Sequence, residues 1–168
     1  AWRVVVRGAL GREAGGAPAA AARAREEGGD GPDRIYPPER PFHEEEFLDE
    51  VKALYDRLGG VIVVASEGLH DEAGKPIVPP IFQTGRSTYF GDVSSHLAQM
   101  VVRRLGIKAR SAKPGILARA SIAWQSPVDA AEAEEPGRAA CPAALAGETG
   151  KVVGFRPLSS APSLCATF

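Results

Sequence analysis

Residues 61–68 read VIVVASEG, a continuous apolar run that stops at an acidic side chain. Runs of this kind are typical of parallel strands, which are buried on both faces of the sheet. The preceding residues 44–58 have apolar side chains at spacings of four, three and four, which predicts a helix with one apolar face. Gly59 and Gly60 separate the two elements. A helix that leads directly into a buried strand is therefore the unit from which the fold is built.

Strands and helices alternate in the same way on both sides of this unit. Strands are predicted at residues 4–6, 35–36, 61–65, 107–112 and 152–155, and helices at residues 19–27, 44–58, 97–105 and from 127 onward. Residues 67–80, which are rich in glycine and proline, are predicted to form a loop. Repeated alternation predicts an α/β fold, a three-layer sandwich with a mostly parallel, Rossmann-like sheet.

The limits of the folded portion are also suggested by the sequence. Pro136 and Pro142 fall inside the last predicted helix, where a proline removes a hydrogen-bond donor and would disrupt it. We expect one folded portion over residues 1–156 and a tail, 157–168, whose weak pattern is compatible with disorder. The chain opens at Ala1 without a methionine and enters a strand almost at once, so we expect it to be part of a longer protein.

Composition narrows the class of protein. Hydrophobic residues make up 44% of the 168 residues and charged residues 24%, which is typical of a soluble globular domain. The net charge of -1 gives no reason to expect a nucleic acid or a membrane surface as partner. No apolar run approaches the roughly 20 residues that span a bilayer. Cys141 and Cys165 have neither metal-ligand nor disulfide spacing, so a reducing cytoplasm is the expected location.

Ligands of open α/β sheets bind at the carboxyl ends of the strands, and the residues after the first predicted strand are one candidate. Residues 7–15 read RGALGREAG, and such glycines let backbone N–H groups approach a ligand closely. The spacing matches neither a dinucleotide fingerprint nor a phosphate-binding P-loop. A strand-to-helix turn that needs glycine explains the pattern as well, so both interpretations stay open.

Two further strand ends carry charge. Glu67 can accept hydrogen bonds from sugar hydroxyls, although a loop carboxylate in water has the same signature. Residues 108–119 read KARSAKPGILAR and carry four cations, a pattern that suits a phosphate but also fits a solvated basic stretch. The three histidines are scattered without metal-ligand spacing, which favours surface or packing roles.

The order of these stretches resembles the phosphofructokinase family. In that family an arginine leads a strand, a Met-Gly-Arg turn follows it, a Glu-Gly pair follows a later strand, and two arginines flank a glycine turn. The matching residues here are Arg3, Leu10-Gly11-Arg12, Glu67-Gly68, Arg110 and Arg119. Residues 36–42, 126–129 and 147–153 are similar to further family segments, so the resemblance runs from about residue 3 to residue 155.

Phosphofructokinases transfer a phosphoryl group to the 1-hydroxyl of fructose 6-phosphate in glycolysis, with Mg2+ and with ATP or pyrophosphate as donor. The resemblance implies that Glu67 and the turn of Leu10, Gly11 and Arg12 hold the sugar. It implies that Arg119 binds the 6-phosphate from the same subunit.

The resemblance also bears on the assembly and on the donor. Arg3 and Arg110 match arginines that reach into the site of a neighbouring subunit, which implies a homo-oligomer. The Pro114-Gly115 turn is closer to the pyrophosphate-dependent branch than to the bacterial ATP enzymes. Ile116 stands where many of those ATP enzymes have a phosphate-binding histidine, so one contact is lost. Leu10 in place of methionine is similar in size and should be tolerated.

The family's Gly-Gly donor loop and its Thr-Ile-Asp catalytic segment do not occur in this sequence. We therefore expect no catalytic residue and no metal ligand in this chain, with Mg2+ held mainly by the other half of the enzyme. Phosphoryl transfer needs donor, metal and acceptor together, so the isolated chain should be inactive. Two alternatives stay open: a non-catalytic or regulatory sugar-phosphate-binding subunit, and an unrelated nucleotide-binding α/β domain.

Overall fold

The computed structural model describes residues 3–12, 14–25, 31–85, 87–157 and 164–167, and at a few of these positions, Arg119 among them, it describes the backbone alone. The chain forms two compact units, residues 1–115 and residues 116–168. The predicted division into a folded portion 1–156 and a tail 157–168 stays a prediction. Within the described residues, no helix has both the length and the apolar character needed to cross a membrane.

The first unit is built on a four-stranded parallel sheet. Within the residues that the structure describes, the unit as a whole has six strands, β1 (Val4–Ala9), β2 (Arg34–Tyr36), β3 (Val61–Ser66), β4 (Pro80–Thr84), β5 (Ser87–Phe90) and β6 (Ala109–Ala112). Among the same residues it has three α-helices, α1 (Gly16–Ala20), α2 (Glu44–Leu58) and α3 (Val93–Leu105). The sheet has the order β2-β3-β1-β6, and each neighbouring pair is parallel. The strands β4 and β5 form a separate antiparallel hairpin.

The handedness of the connections fixes the layers. The chain moves one way across the sheet from β1 to β2, and the other way from β2 to β3 and from β3 to β6. Because such crossovers are right-handed, α1 lies on one face of the sheet and α2 and α3 lie on the other. This arrangement confirms the predicted α/β sandwich with a mostly parallel sheet.

The main core lies between the sheet and the pair α2 and α3. Alternate residues of β1 and β3, including Val4 and Val63, point into it and are fully buried. Most of the apolar face predicted for α2 is buried there as well, with Phe47 and Val51 fully enclosed, whereas Leu58 at its end is half exposed. The helix ends at Gly59, whose left-handed backbone (φ 73°) closes the last turn.

Polar contacts hold the two helices and the end of β2 in place. Arg104 of α3 pairs with Glu44 at 3.1 Å and with Glu45 at 2.7 Å, in the first turn of α2. Tyr36 packs against Phe47 and donates a hydrogen bond to the Glu50 carboxylate at 2.5 Å. Burial, and next that hydrogen bond, raises the pKa of Tyr36 well above its ordinary value, so the phenol stays neutral.

Several elements of the first unit differ from the prediction. The helix predicted at 97–105 begins at Val93, and the strand predicted at 107–112 begins at Ala109. The predicted helix at residues 19–27 begins earlier, at Gly16, and continues from α1 into a 3-10 turn, Ala21–Ala24. Part of the predicted helix, 26–27, lies outside the described residues. The predicted loop 67–80 ends at the hairpin of β4 and β5, which sequence patterning missed because both strands are exposed and show no clear alternation.

The second unit contains α4 (Leu117–Ala120), α5 (Pro127–Leu145), and the antiparallel strands β7 (Gly154–Pro157) and β8 (Leu164–Thr167). Ser126 caps α5 by accepting a hydrogen bond from the Asp129 N–H at 3.3 Å, as its position before a proline indicated. The expected disruption at Pro136 and Pro142 is wrong, since α5 runs through both. No residue of α5 is buried, so water can satisfy the carbonyls that the two prolines leave without a donor.

We predict that Phe47→Ala lowers the free energy of unfolding by about 3–5 kcal/mol, because it empties a fully enclosed site against Phe42 and Tyr36. The matched control is Phe82→Ala, where the side chain is 60% exposed and the loss should stay below about 1 kcal/mol. Urea denaturation followed by circular dichroism measures both. Equal losses would show that the core is not where the structure places it.

Candidate functional site

The connections that follow β1 and β3 leave the sheet in opposite directions. The chain after β1 goes to α1 on one face, and the chain after β3 goes on to α3 on the other. β1 and β3 are neighbours in register from Val4 and Val61 to Ala9 and Ser66. A crevice therefore opens outside their carboxyl ends, at the topological switch point where α/β proteins bind ligands.

The turns after β1 and β3 interlock at this crevice. The Glu67 N–H donates to the Ala9 carbonyl at 3.1 Å, which extends the pairing of the strands by one bond. The fully buried Ser66 hydroxyl donates to the Gly11 carbonyl at 3.0 Å and accepts from the Gly68 N–H at 3.2 Å. The Glu67 carboxylate lies 3.5 Å from the Gly11 nitrogen. Glu67 is thereby fixed beside the backbone of residues 10–12.

Glycine is required at two places in this contact. A Cβ atom on Gly68 would overlap the carbonyl oxygen of Arg12, so the two turns can approach this closely only without one. Gly11 has φ +119°, where a side chain is strained, and a Cβ there would lie 2.5 Å from the Ala14 carbonyl oxygen. The glycine pattern after β1 thus serves the turn itself, and it also leaves backbone groups open to the crevice.

The segment after β2 contacts the connection between β1 and α1. The Glu39 carboxylate accepts a hydrogen bond from the Gly15 N–H at 2.5 Å, just before α1 begins. A carboxylate at a helix start is stabilised by the free N–H groups there, which explains the acidic residue in this segment.

A narrow cleft of about 10 Å³, the space of about one water molecule, opens beyond the interlocked turns. It is lined by residues 8–10 at the end of β1, by Glu67, by residues 92–94 at the start of α3 and by residues 113–115 after β6. The Lys113 side chain lies over Gly8, because a Cβ built on Gly8 would be 3.9 Å from the Lys113 Cγ. Glu67, Asp92 and Lys113 therefore all line this cleft.

Asp92 is the most constrained charge in the cleft. Its carboxylate accepts from the Ser94 N–H at 3.0 Å, the Ser94 hydroxyl at 2.8 Å and the Ser95 hydroxyl at 2.9 Å. Partial burial alone would raise the pKa of Asp92, but the bonds from Ser94 and Ser95 and the positive charge of Lys113 hold it below its ordinary value. Asp92 is therefore ionised at neutral pH.

Sequence reasoning did not single out Asp92 or Lys113 as site residues. The D-V-S-S pattern of residues 92–95 marks Asp92 as a helix cap, and that signal could have located the start of α3. Lys113 was visible only as one of the four cations at residues 108–119. Nothing local to either residue indicates that they meet.

The predicted site residues lie in three places: at the carboxyl edge of the sheet, elsewhere in the first unit, and in the second unit. Leu10, Gly11, Arg12 and Glu67 lie together at the carboxyl edge of the sheet. Two arginines lie elsewhere, Arg3 and Arg110. Arg3 precedes β1 at the opposite edge, where it bonds the Tyr55 hydroxyl with its guanidinium carbon 5.8 Å from the ring centre.

Arg110 and Arg119 have different surroundings. Arg110 lies within β6, in register with Val5, and lines a groove beside α3 together with Gln99 and Arg103. Arg119 belongs to α4 in the second unit, and its side chain lies outside the described part of the chain. Whether Arg119 faces Glu67 stays a prediction.

The chain is similar in sequence to known proteins. The chain is 37% identical over 149 residues to the pyrophosphate–fructose 6-phosphate 1-phosphotransferase of Rhodospirillum rubrum, over 83% of this chain and 37% of that protein. It is 35% identical over 162 residues to the protein of the same name from Xanthomonas campestris pv. campestris, over 95% of this chain and 39% of that protein. The chain belongs to the phosphofructokinase family. No protein-family model matches it.

The fold agrees with this assignment. The crystal structure of a pyrophosphate-dependent phosphofructokinase from Nitrosospira multiformis superimposes with a TM-score of 0.66 and 27% identity, over 99% of this chain and 39% of that one. The chain spans less than two fifths of the length of these phosphofructokinase relatives. The resemblance read from the order of its motifs is confirmed.

Within residues 3–12, 14–25, 31–85, 87–157 and 164–167, no group of three or more histidine, cysteine, aspartate or glutamate side chains could hold a metal ion. Glu67 and Asp92 are separate carboxylates, and the donors on Ser94 and Ser95 already occupy both oxygens of Asp92. We derive no metal-dependent step from these residues.

We predict that Gly68→Ala separates the two interlocked turns, because the new Cβ overlaps backbone and no flexible side chain can move aside. The variant should lose at least about 2 kcal/mol of unfolding free energy. Gly74→Ala is the matched control, since it lies in the same loop with open space around it, and it should report only the strain of its positive φ. A smaller loss for Gly68→Ala than for Gly74→Ala would refute the close approach.

Proposed function

We propose that this chain provides the sugar-phosphate-holding part of a 6-phosphofructokinase, which transfers a phosphoryl group from pyrophosphate to the 1-hydroxyl of fructose 6-phosphate. The names of the relatives support the reaction and the pyrophosphate donor. The observation that carries the assignment of this portion is the interlocked pair of turns, which fixes Glu67 beside Gly11 at the switch point of the sheet. A cytoplasmic location belongs to the same proposal.

The charged residues around the mouth of the cleft suit the two ends of a sugar monophosphate, which in the proposal lies outside the narrow cleft itself. A carboxylate held in place by backbone, as Glu67 is, accepts hydrogen bonds from sugar hydroxyls. Lys113 supplies a positive charge across the cleft for a phosphate group. Leu10 lines the same cleft, Gly11 lies beside Glu67, and Arg12 is exposed. Arg119 is proposed to bind the 6-phosphate on the strength of the family motif.

Catalysis is proposed to depend on residues outside this chain. Phosphoryl transfer proceeds mainly through positioning and charge neutralisation of donor, metal and acceptor. The cleft offers one ammonium group and two carboxylates, which suits an acceptor and supplies little positive charge for a pyrophosphate. We therefore assign Mg2+ and the donor to the remainder of the enzyme, and acceptor binding to this chain.

An oligomeric enzyme fits the placement of two arginines. Arg3 and Arg110 are exposed and lie away from the cleft that contains Glu67. In the proposal both reach the acceptor site of a neighbouring subunit, so that each complete site draws on two chains.

We predict that Glu67→Gln weakens the binding of fructose 6-phosphate by about 10- to 100-fold, because one or two hydrogen bonds to a charged acceptor are lost. Titration calorimetry on the 168-residue chain measures this. Glu72→Gln is the matched control, since Glu72 is an exposed carboxylate in the same loop and should leave the affinity unchanged. Equal affinities for wild type and Glu67→Gln would refute the role of Glu67.

We predict that the purified 168-residue chain binds fructose 6-phosphate but forms no fructose 1,6-bisphosphate from pyrophosphate or ATP, because the donor site is not part of it. A coupled enzyme assay, with the Rhodospirillum rubrum relative as positive control, measures turnover. Turnover by the isolated chain would refute the division between binding and catalysis. Binding of a dinucleotide in place of the sugar phosphate would refute the proposed function itself.

A further inference from the structure

The helix α1 begins at a residue that has no side chain with which to cap it. Gly15 is the N-cap residue of α1, and as a glycine it offers no side-chain acceptor. In a capping box, a glutamate or glutamine three residues later binds the backbone N–H of the N-cap residue. Here that position holds Pro18, whose side chain is apolar and fully buried. The acceptor for the Gly15 N–H must therefore come from another part of the chain.

Glu39, which follows β2, supplies this acceptor. Its carboxylate accepts from the Gly15 N–H at 2.5 Å, across 24 residues of sequence. A Cβ atom built on Gly15 would overlap both oxygens of that carboxylate, so Glu39 occupies the space that a side chain would take. The end of β2 is itself held, because Tyr36 packs against Phe47 of the core. The Gly15 N–H is thus tied, through Glu39, to a fixed strand of the sheet.

The connection between β1 and α1 is consequently anchored at two points. At its start, the Ser66 hydroxyl donates to the Gly11 carbonyl at 3.0 Å. At its end, Glu39 binds the Gly15 N–H. Arg12 lies between these points in sequence, and it is exposed. The backbone that carries Arg12 therefore has one anchor on β3 and a second anchor on the segment after β2.

We propose that Glu39 is a positioning residue, which holds the backbone of Arg12 in the conformation that binds the sugar phosphate. The inference rests on the proposed function for the identity of that ligand, and Glu39 itself does not touch it. When the bond from Glu39 to Gly15 is lost, the connection keeps only the anchor at Gly11, and the ligand must order the rest at a cost in affinity. A five-residue helix such as α1 is too short to hold its own start in place.

Two pictures make opposite predictions for the variant Glu39→Ala. If Glu39 acts only through its negative charge, its removal makes the surroundings of Arg12 more positive, and a phosphate ligand binds more tightly. If Glu39 positions Arg12, affinity falls, and Glu39→Gln restores it because the amide oxygen can still accept from the Gly15 N–H. The neutral variant that keeps the acceptor thus separates position from charge.

Gly15→Ala breaks the same bond from the other side. Gly15 has a φ of −81°, which alanine adopts without strain, and the nearest atoms that the new Cβ meets all belong to the carboxylate group of Glu39. Because that group is the flexible end of a side chain, it can move aside, and the bond is lost without a change of charge. If both residues act through this one bond, the double variant Gly15→Ala/Glu39→Ala should bind no more weakly than either single variant.

The test uses the 168-residue chain and measures affinity and backbone order separately. Titration calorimetry with fructose 6-phosphate measures affinity, with fructose as the phosphate-free comparison. NMR relaxation of the Arg12 and Ala14 amides measures the order of the connection without any ligand, and urea denaturation measures stability. Glu72→Ala is the matched control, because it removes an exposed carboxylate from the segment after β3.

We expect Glu39→Ala and Gly15→Ala each to weaken fructose 6-phosphate binding about fivefold and to lower the order of the Arg12 amide. The double variant should also lose about fivefold, where two independent effects would give about 25-fold. Glu39→Gln and Glu72→Ala should bind as wild type does. Gly15→Ala carries the test alone if Glu39→Ala does not fold.

Unchanged or tighter fructose 6-phosphate binding by either single variant would overturn the inference, and so would losses that multiply in the double variant. If wild type binds no sugar phosphate while the Arg12 amide still loses order in the single variants, the proposed function fails and the positioning of Arg12 by Glu39 stands.

Discussion

The in-register parallel pairing of β1 with β3 is the constraint on which the rest of this structure depends. Six consecutive pairs, from Val4 with Val61 to Ala9 with Ser66, make the two strands finish side by side. Because the connections that follow go to opposite faces, the turns at 10–12 and 66–68 meet at the carboxyl edge of the sheet. The buried Ser66 hydroxyl then closes that meeting by bonding both turns. A slip of one residue would move Glu67 away from Gly11 and turn the core-facing Val61 and Val63 to the opposite face of the sheet.

The parts of the fold that sequence predicted are those whose signals are local. The bounds of α2 follow from its apolar spacing, from three acids in its first turn and from Gly59 at its end, all within sixteen residues. β3 follows from one apolar run, and Ser126 is identified as a cap by the proline after it. Half of the candidate site follows too, because Glu67 and the turn at Gly11 come directly after strands whose ends must share one edge.

The other half of the site depends on non-local packing, which no pattern in the sequence encodes. Gly8, Asp92 and Lys113 come from three separate elements, and they meet only because β6 pairs with β1 and because α3 crosses close to Gly8. Context also decides against local rules: Pro136 sits within a continuous α5 because the helix is exposed. Exposure also explains why the sequence did not predict the hairpin of β4 and β5: its strands have no buried face, so their apolar and polar residues do not alternate.

Under the proposed function, the interactions of this chain act on affinity more than on rate. In that proposal Glu67 and Lys113 are assigned to the hydroxyl and phosphate ends of the acceptor, which keep their charge while the 1-hydroxyl reacts. Contacts that are equal in the ground state and the transition state strengthen binding without lowering the chemical barrier. The cleft also lacks the cluster of positive charge that a transferring phosphoryl group requires. In the proposal, these residues therefore serve acceptor recognition, and donor activation is assigned to the remainder of the enzyme.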